Sequence, residues 1–263
     1  MPVSWRLIDT GPLDGPTNMA VDEALLLSFL PETSAPVLRL YGWSPPALSL
    51  GRFQKADEVL DLARCATARV PVVRRITGGG VIYHADELTY SLVCAPRHLP
   101  AATTIKESFR TLTTFLRRFY QGLNLVPVWA VDAVSPGERL GERTAYCFAG
   151  RESYDILLAG RKIGGNAQRR LKGIIFQHGS IPLANRAAAG AAFLRQPPAG
   201  VAAGTTSLEE CGIALPADEL SRRLAAAFAA ALGVALTPDR LTPCEEENAA
   251  HALARQHTAM SHP

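Results

Sequence analysis

Residues 74–91 read RRITGGGVIYHADELTYS, and the rest of the chain is organised around them. The β-branched residues Val70, Val72 and Val73 lead into Arg74 and Arg75. Thr77 and three glycines follow (Gly78, Gly79, Gly80), then a strand-like VIY ending on Tyr83 and His84. Three successive glycines strip the Cβ atoms from the backbone, so a ligand can lie against bare N–H and C=O groups and a positive φ costs little. Glycine weakens a strand, and there it marks a bulge or a close backbone approach. GGG alone is also explained by a flexible turn in an ordinary hairpin. The arginines and His84 beside it favour a ligand platform.

The chain has 263 residues, 48% hydrophobic and 19% charged, values of a globular, enzyme-sized protein rather than a disordered one. One core is near its upper size at this length. Residues 1–185 are therefore expected to form the main domain, with 186–263 as a mainly helical extension of the same unit. A net charge of +3 is too small for a dedicated nucleic-acid binder, although it suits an acidic protein partner. Five widely spaced cysteines with no CxxC pair argue against a disulfide framework and against structural zinc. MPVSWRLIDTG has no basic-then-apolar leader pattern, and no apolar run reaches about 18 residues. A cytoplasmic protein with no membrane partner is expected.

Hydrophobic spacing predicts a strand over 5–9, a helix over 18–29, strands over 37–41 and 47–50, and a short helix over 56–65. A strand over 88–94 and a strongly periodic helix over 105–120 follow, the latter with Phe109, Leu112, Leu116 and Phe119 as core. Residues 126–143 read as a loop, a candidate mobile flap. Two alanine-rich helices, 215–232 and 245–257, close the chain. Hairpins with helices imply an α+β class of mixed or antiparallel sheets with flanking helices and a small C-terminal helical annex.

A second informative stretch, residues 147–183, reads CFAGRESYDILLAGRKIGGNAQRRLKGIIFQHGSIPL. It parses as a meander of strands 154–158, 161–167 and 174–182. A lone cysteine is ordinarily an inert small hydrophobe, but Cys147 opens the stretch that carries Lys162. Lys162 is either a solvated strand lysine or one placed to reach a carbonyl or carboxylate. Gly164, Gly165, Asn166, Ala167 and Gln168 repeat the character of the first glycine stretch, small residues followed by amides. The two stretches suggest opposite walls of one slot, with His178, Gly179 and Ser180 on the third strand. No His/Asp/Glu group has metal-ligand spacing, and neither glycine stretch is a P-loop or a G-x-G-x-x-G fingerprint.

RRITGGGVIYHADELTYSL, with GRFQ upstream and GRKIGGNAQRRLKGIIFQHGSIPL downstream, resembles the lipoate–protein ligase A, octanoyltransferase and biotin ligase family over roughly residues 5–183. Cys147 in CFAGRESYDIL resembles the nucleophile of LipM-type octanoyltransferases, although GGNAQ stands where SGSAQ is more usual. The resemblance implies a lipoate-ligase-like catalytic fold, with the arginine–glycine stretch lining an acyl tunnel, Lys162 contacting the acyl carbonyl, and the HG segment closing the site.

The activity implied is transfer of an octanoyl group from acyl carrier protein, through a Cys147 thioester, to a lipoyl-domain lysine. The acceptor would be the glycine-cleavage H protein or the acyltransferase subunit of a 2-oxoacid dehydrogenase. Lys162 is expected to lower the thiol's pKa and to stabilise the oxyanion. Apolar residues around 78–83 are expected to measure the chain. Arg74, Arg75, Arg169, Arg170 and Lys172 either orient acidic carriers or form a solvated hairpin tip. No cofactor is implied. ATP and Mg belong only to the rival reading of a lipoate–protein ligase. Two further rivals are an amidotransferase between lipoyl domains and a non-catalytic lipoyl- or biotinyl-binding module.

Overall fold

The computed structural model describes residues 3–99, 104–134, 140 and 144–260. Its main sheet has six strands in the order β10 (Gly165–Leu171), β11 (Ile174–Pro182), β6 (Glu87–Cys94), β2 (Val37–Trp43), β1 (Ser4–Leu13) and β12 (Ala235–Pro238). The first four pair antiparallel; β1 joins β2, and β12 joins β1, in parallel. Two three-stranded sheets stand apart from it. One is β4 (Val72–Arg74), β3 (Ala47–Leu50) and β5 (Ile82–His84); the other is β7 (Pro127–Trp129), β8 (Ile156–Leu158) and β9 (Arg161–Lys162). The fold is α+β, as the residue pattern implied.

The period-two alternation of β6 decides which face does what. Leu88, Tyr90, Leu92 and Cys94 join Trp5, Leu38 and Leu40 in the largest apolar cluster, under α4 (Ile105–Gly122) and α7 (Ala217–Leu232). Thr89, Ser91 and Val93 face the other way, and the register places them in three rows running across the strands. Arg169, Phe176, Val93 and Val37 form one row. Val21, Leu25 and Leu26 of α1 (Gly15–Ser28), with Phe29 just beyond it, pack against its hydrophobic members. Ala167, His178, Ser91 and Arg39 form the middle row, capped by Asp22 from α1. The third row, Gly165, Ser180, Thr89 and Tyr41, lines a cavity.

Several expectations are corrected. Helix α1 begins at Gly15 rather than residue 18, because Asp14 caps it through Thr17 N (2.7 Å) and Pro16 suits the first turn. The helix expected over 56–65 is two, α2 (Ala56–Val59) and α3 (Leu62–Thr67). Leu60 bridges to Leu194 between them, and Asp61 caps the second. The meander is broken at Gly164 (φ +78°), where the chain leaves one sheet for another. Phe109 is only half-buried and faces the cavity, stacked 5.9 Å from Tyr154. Of the expected flap, 127–129 is strand β7 and Ala130–Ala133 a 3-10 turn; 135–139 and 141–143 lie outside the described residues.

Residues of the 186–263 segment pack against the main sheet and its helices. Beyond the short helices α5 (Ala187–Ala191) and α6 (Val201–Gly204), α7 places Leu220, Leu224 and Phe228 in the main cluster. β12 extends the main sheet. Helix α8 (Pro243–Met260) packs on α1, where Asn248 bonds Ser28 and Arg255 pairs with Glu23. Among the described residues no helix is long and apolar enough to cross a membrane. The Phe228 ring lies edge-on to Trp5 and Phe115 at 4.9 and 5.1 Å. Phe228→Ala is therefore expected to cost about 3–5 kcal/mol in urea unfolding. A loss below about 1 kcal/mol would mean that α7 is not part of the central core.

Candidate active site

The 74–80 stretch is held in place by Arg75, which is almost fully buried. One terminal nitrogen donates to Ser49 O (2.9 Å), the other to Gly78 O and Gly80 O (2.8 and 2.7 Å). Its Nε has no partner, and among the described residues no carboxylate pairs with it. The glycines that follow have different uses. Gly79 adopts φ +95°, whereas a Cβ on Gly80 would lie 2.8 Å from both Thr144 O and Ala145 O. The bare backbone at Gly80 thus admits a second chain segment, residues 144–147. Val81 N donates to Ala145 O (2.8 Å) and Cys147 N to Val81 O (2.9 Å). Gln54, from GRFQ, adds a bond from Nε2 to Ala145 O (2.9 Å).

This clamp delivers Cys147, half-buried at the start of a 3-10 turn, to the cavity wall. A Cβ on Gly165 would meet Cys147 Sγ at 2.9 Å and Lys162 Nζ at 3.8 Å. Thiol and ammonium therefore flank one small volume that only glycine leaves open. Lys162 Nζ donates to Cys147 O (2.8 Å) and Gly150 O (2.9 Å), and lies 2.7 Å from Asp155 Oδ2. Its donors are all engaged, so contact with an acyl carbonyl requires one of them to be exchanged.

Lys162 acts on the thiol in the expected direction, but burial outweighs it. Burial pushes the Cys147 thiol above its ordinary range, and the opposing effects of Lys162 and Arg75 do not overcome it; Asp155 and Glu152 push the same way as burial. Lys162 ends higher than an ordinary lysine. Burial disfavours its charge, but the Cys147 thiolate and Asp155 more than compensate. Burial lowers Arg75 to about 10, against the pull of Cys147. The resting pair at neutral pH is thus a thiol beside an ammonium.

The cavity measures about 1100 Å³. Of the residues singled out in the sequence, it brings together Cys147, Lys162, Arg75, Gly78, Gly79, Gly80, His84, Gly165, Asn166, Ala167, Gln168, His178 and Gly179. Arg74, Thr77, Tyr83, Gly164, Arg169 and Lys172 stand outside it. Arg74 is exposed and donates to Gly51 O, Arg52 O and Gln54 O, shaping the GRFQ loop. Thr77 sits behind the wall, bonded to His178 Nε2 (2.7 Å). Tyr83 points away, packed 5.6 Å from Phe193, and does not line the cavity. Gly164 makes the crossing between sheets, where a side chain would strike Ser180 O.

Sequence reasoning did not assign Asp155, Trp43 or Asp22. The signal for Asp155 was a lone acid ahead of the apolar run ILL. In the sequence Asp22 is one of two acids in the early part of the predicted helix. It is fully enclosed, bonded by Arg39, Tyr41 and Ser91 and 3.4 Å from His178. Burial opposes its charge, but His178 and Arg39 hold its pKa below the usual carboxylate value. At the cavity mouth Phe53 is 83% exposed, with Arg52 5.4 Å from its ring; Ile105, Lys106 and Arg170 line the same opening.

The family model described as the lipoyl protein ligase A/B catalytic domain matches residues 14–229. The octanoyltransferase LipM of Symbiobacterium thermophilum is 37% identical, over 95% of this chain and 94% of its own length. That of Kyrpidia tusciae is 35% identical over 96% of each. A crystal structure of lipoate-protein ligase A bound with ATP superposes with a TM-score of 0.79 at 24% identity, covering 98% of this chain and 96% of that one. At that identity the likeness concerns the fold.

The raised thiol pKa has a measurable sign. The thiolate is the reactive form, so alkylation of Cys147 by iodoacetamide, followed by peptide mapping, is expected to accelerate with pH through the neutral range. Half-maximal rate should fall above pH ~8.5. Lys162→Met, which removes a cation favouring the thiolate, should move that midpoint higher. A midpoint near neutrality, or a downward move in the variant, contradicts this electrostatic account.

Proposed function

Because the chain belongs to the lipoyl protein ligase A/B catalytic domain family, we propose that it is an octanoyltransferase that modifies lipoyl domains through a cysteine thioester. The observation that carries the reading is the placement of Cys147 Sγ and Lys162 Nζ around the volume left open by Gly165.

In the first step the Cys147 thiolate attacks the carbonyl carbon of an octanoyl thioester on acyl carrier protein. The carrier's sulfur leaves as a thiolate, and the thiol proton of Cys147 ends on it. In the second step the neutral amine of a lipoyl-domain lysine attacks the Cys147 thioester. An amide forms, the Cys147–acyl bond breaks, and the amine's surplus proton returns the cysteine to the thiol. Thioester exchange is close to neutral in energy and amide formation is downhill, so the two steps balance without a nucleotide. ATP and Mg belong to a ligase mechanism, which has no use for the thiol.

The chain's own groups supply the electrostatics. Negative charge on the tetrahedral oxygen develops beside Lys162 and within the field of Arg75, both of which are buried. Fixed cations there act more strongly than in bulk solvent. Lys162 can trade its bond to Gly150 O for one to the oxyanion while Asp155 holds its charge. The acyl chain lies along the cavity floor, away from the mouth.

Acyl carrier protein and a lipoyl domain, such as that of the H protein or of a 2-oxoacid dehydrogenase acyltransferase subunit, dock at the mouth. Phe53 and Ile105 offer exposed apolar contact there, and Arg52, Lys106, Arg169 and Arg170 favour acidic partners. Arg169 is held below its ordinary pKa by burial and by its neighbour Arg52, against the pull of Glu23. A cytoplasmic setting suits five unpaired cysteines.

The discriminating experiment compares Cys147→Ala with the parent protein for octanoyl transfer from acyl carrier protein to an apo lipoyl domain. The expected result is loss of at least about 10³-fold in rate with no recovery when ATP, Mg and free octanoate are supplied. Full activity in the variant, or octanoylation driven by ATP and octanoate, would replace this reading with the ligase.

A further inference from the structure

The register of the main sheet draws the cavity floor as a line. Gly165, Ser180, Thr89 and Tyr41 stand opposite one another on β10, β11, β6 and β2, so all four point to the same side. Cys147 Sγ lies over Gly165 at one end. Three strand spacings of about 4.8 Å place Tyr41 roughly 14 Å away at the other. The hydroxyls between are turned aside, since Ser180 and Thr89 both donate to Glu87. Their carbon atoms form the floor.

At the far end Met19, Tyr41 and Trp43 line the cavity, with Ala47 and Val73 packed beside them in one apolar cluster. Two of the three lining residues are pinned. Trp43 stacks on His84 (3.8 Å, 7°), and its Nε1 donates to Thr89 Oγ1 (2.8 Å). Tyr41 bonds Asp22 through its hydroxyl (3.0 Å) beneath the Arg39 guanidinium (3.9 Å to the ring). Met19 is an unbranched, polarisable side chain of the kind that fills gaps by adjusting its rotamer.

We propose that the Met19–Tyr41–Trp43 wall ends the acyl channel and sets the chain length, with Met19 as the residue that decides where the chain must stop. The proposal rests on the octanoyl-transfer reading above. An extended chain of 1.5 Å bonds advances about 1.25 Å per bond, so eight carbons reach roughly 9 Å from the carbonyl. That leaves about the thickness of one side chain before the Tyr41 backbone. Four further carbons need about 5 Å more, and they meet the wall.

The test is the initial rate of acyl-enzyme formation, read by intact mass, with hexanoyl-, octanoyl-, decanoyl- and dodecanoyl-acyl carrier protein. It is made on the wild type, Met19→Ala and Met19→Phe. Met19→Ala is expected to raise the dodecanoyl-to-octanoyl rate ratio about tenfold, and Met19→Phe to raise the hexanoyl-to-octanoyl ratio by a similar factor. The same ratios in all three proteins would overturn the proposal, as would a loss that is uniform across chain lengths in both variants. If the wild type takes up no acyl group from any carrier, the octanoyl-transfer reading fails first and the proposal with it.

Discussion

Two chain segments approach each other here more closely than side chains permit. Residues 144–147 lie against Gly80, and Cys147 Sγ lies 2.9 Å from where Gly165 would carry a Cβ. Everything chemical in the molecule depends on these two missing carbons. Alanine at Gly80 would drive a methyl group into two carbonyl oxygens; at Gly165 it would fill the space that a reacting carbon needs. The glycines are required by packing before they are required by any ligand. Arg75 fixes one side of the approach by holding Gly78 O and Gly80 O, and Gln54 fixes the other by holding Ala145 O. The result is a thiol on an irregular segment, positioned as firmly as one on a strand.

The second constraint is electrostatic. A buried ammonium is costly unless it is paired, and Lys162 is paired with Asp155 while bonded to two carbonyl oxygens. Arg75 is buried with carbonyl partners and, among the described residues, no carboxylate partner. Two cations, Lys162 and Arg75, and two carboxylates, Asp155 and Glu152, act on the thiol, and burial keeps it protonated. Such a site is matched to a negative charge that arises during reaction and moves on, rather than to a standing thiolate. The polar network of Asp22, Arg39, Tyr41, Ser91 and His178 separates this region from the apolar seat of α1. It also anchors Tyr41 at the far end of the floor.

Much of this was legible in the residues. Period-two runs and GGG placed the strands, and the helical period placed α4, because those signals are local. Cys147 and Lys162 were recognisable through the motifs around them. What escaped was set by long-range packing. Asp22 and Asp155 look like solvent-facing acids until Arg39 and Lys162 fold against them, and Tyr83 belongs to a strand whose alternation turns it away from its glycine neighbours. Lys162 favours the thiolate as expected, but no sequence pattern reports that desolvation of the cysteine outweighs it. The C-terminal helices read as an annex because their partners, Trp5 and α1, lie some 200 residues away in the chain.

The claim at the centre is that octanoate resides on one sulfur between two carriers. It is tested most directly by mixing the protein with octanoyl-acyl carrier protein in the absence of acceptor, quenching in acid and mapping the adduct by peptide mass spectrometry. One octanoyl group on the Cys147 peptide, discharged by an apo lipoyl domain at least as fast as the overall turnover, is the predicted result. Product formation with no adduct on that peptide, or an adduct that the acceptor cannot discharge, would contradict it.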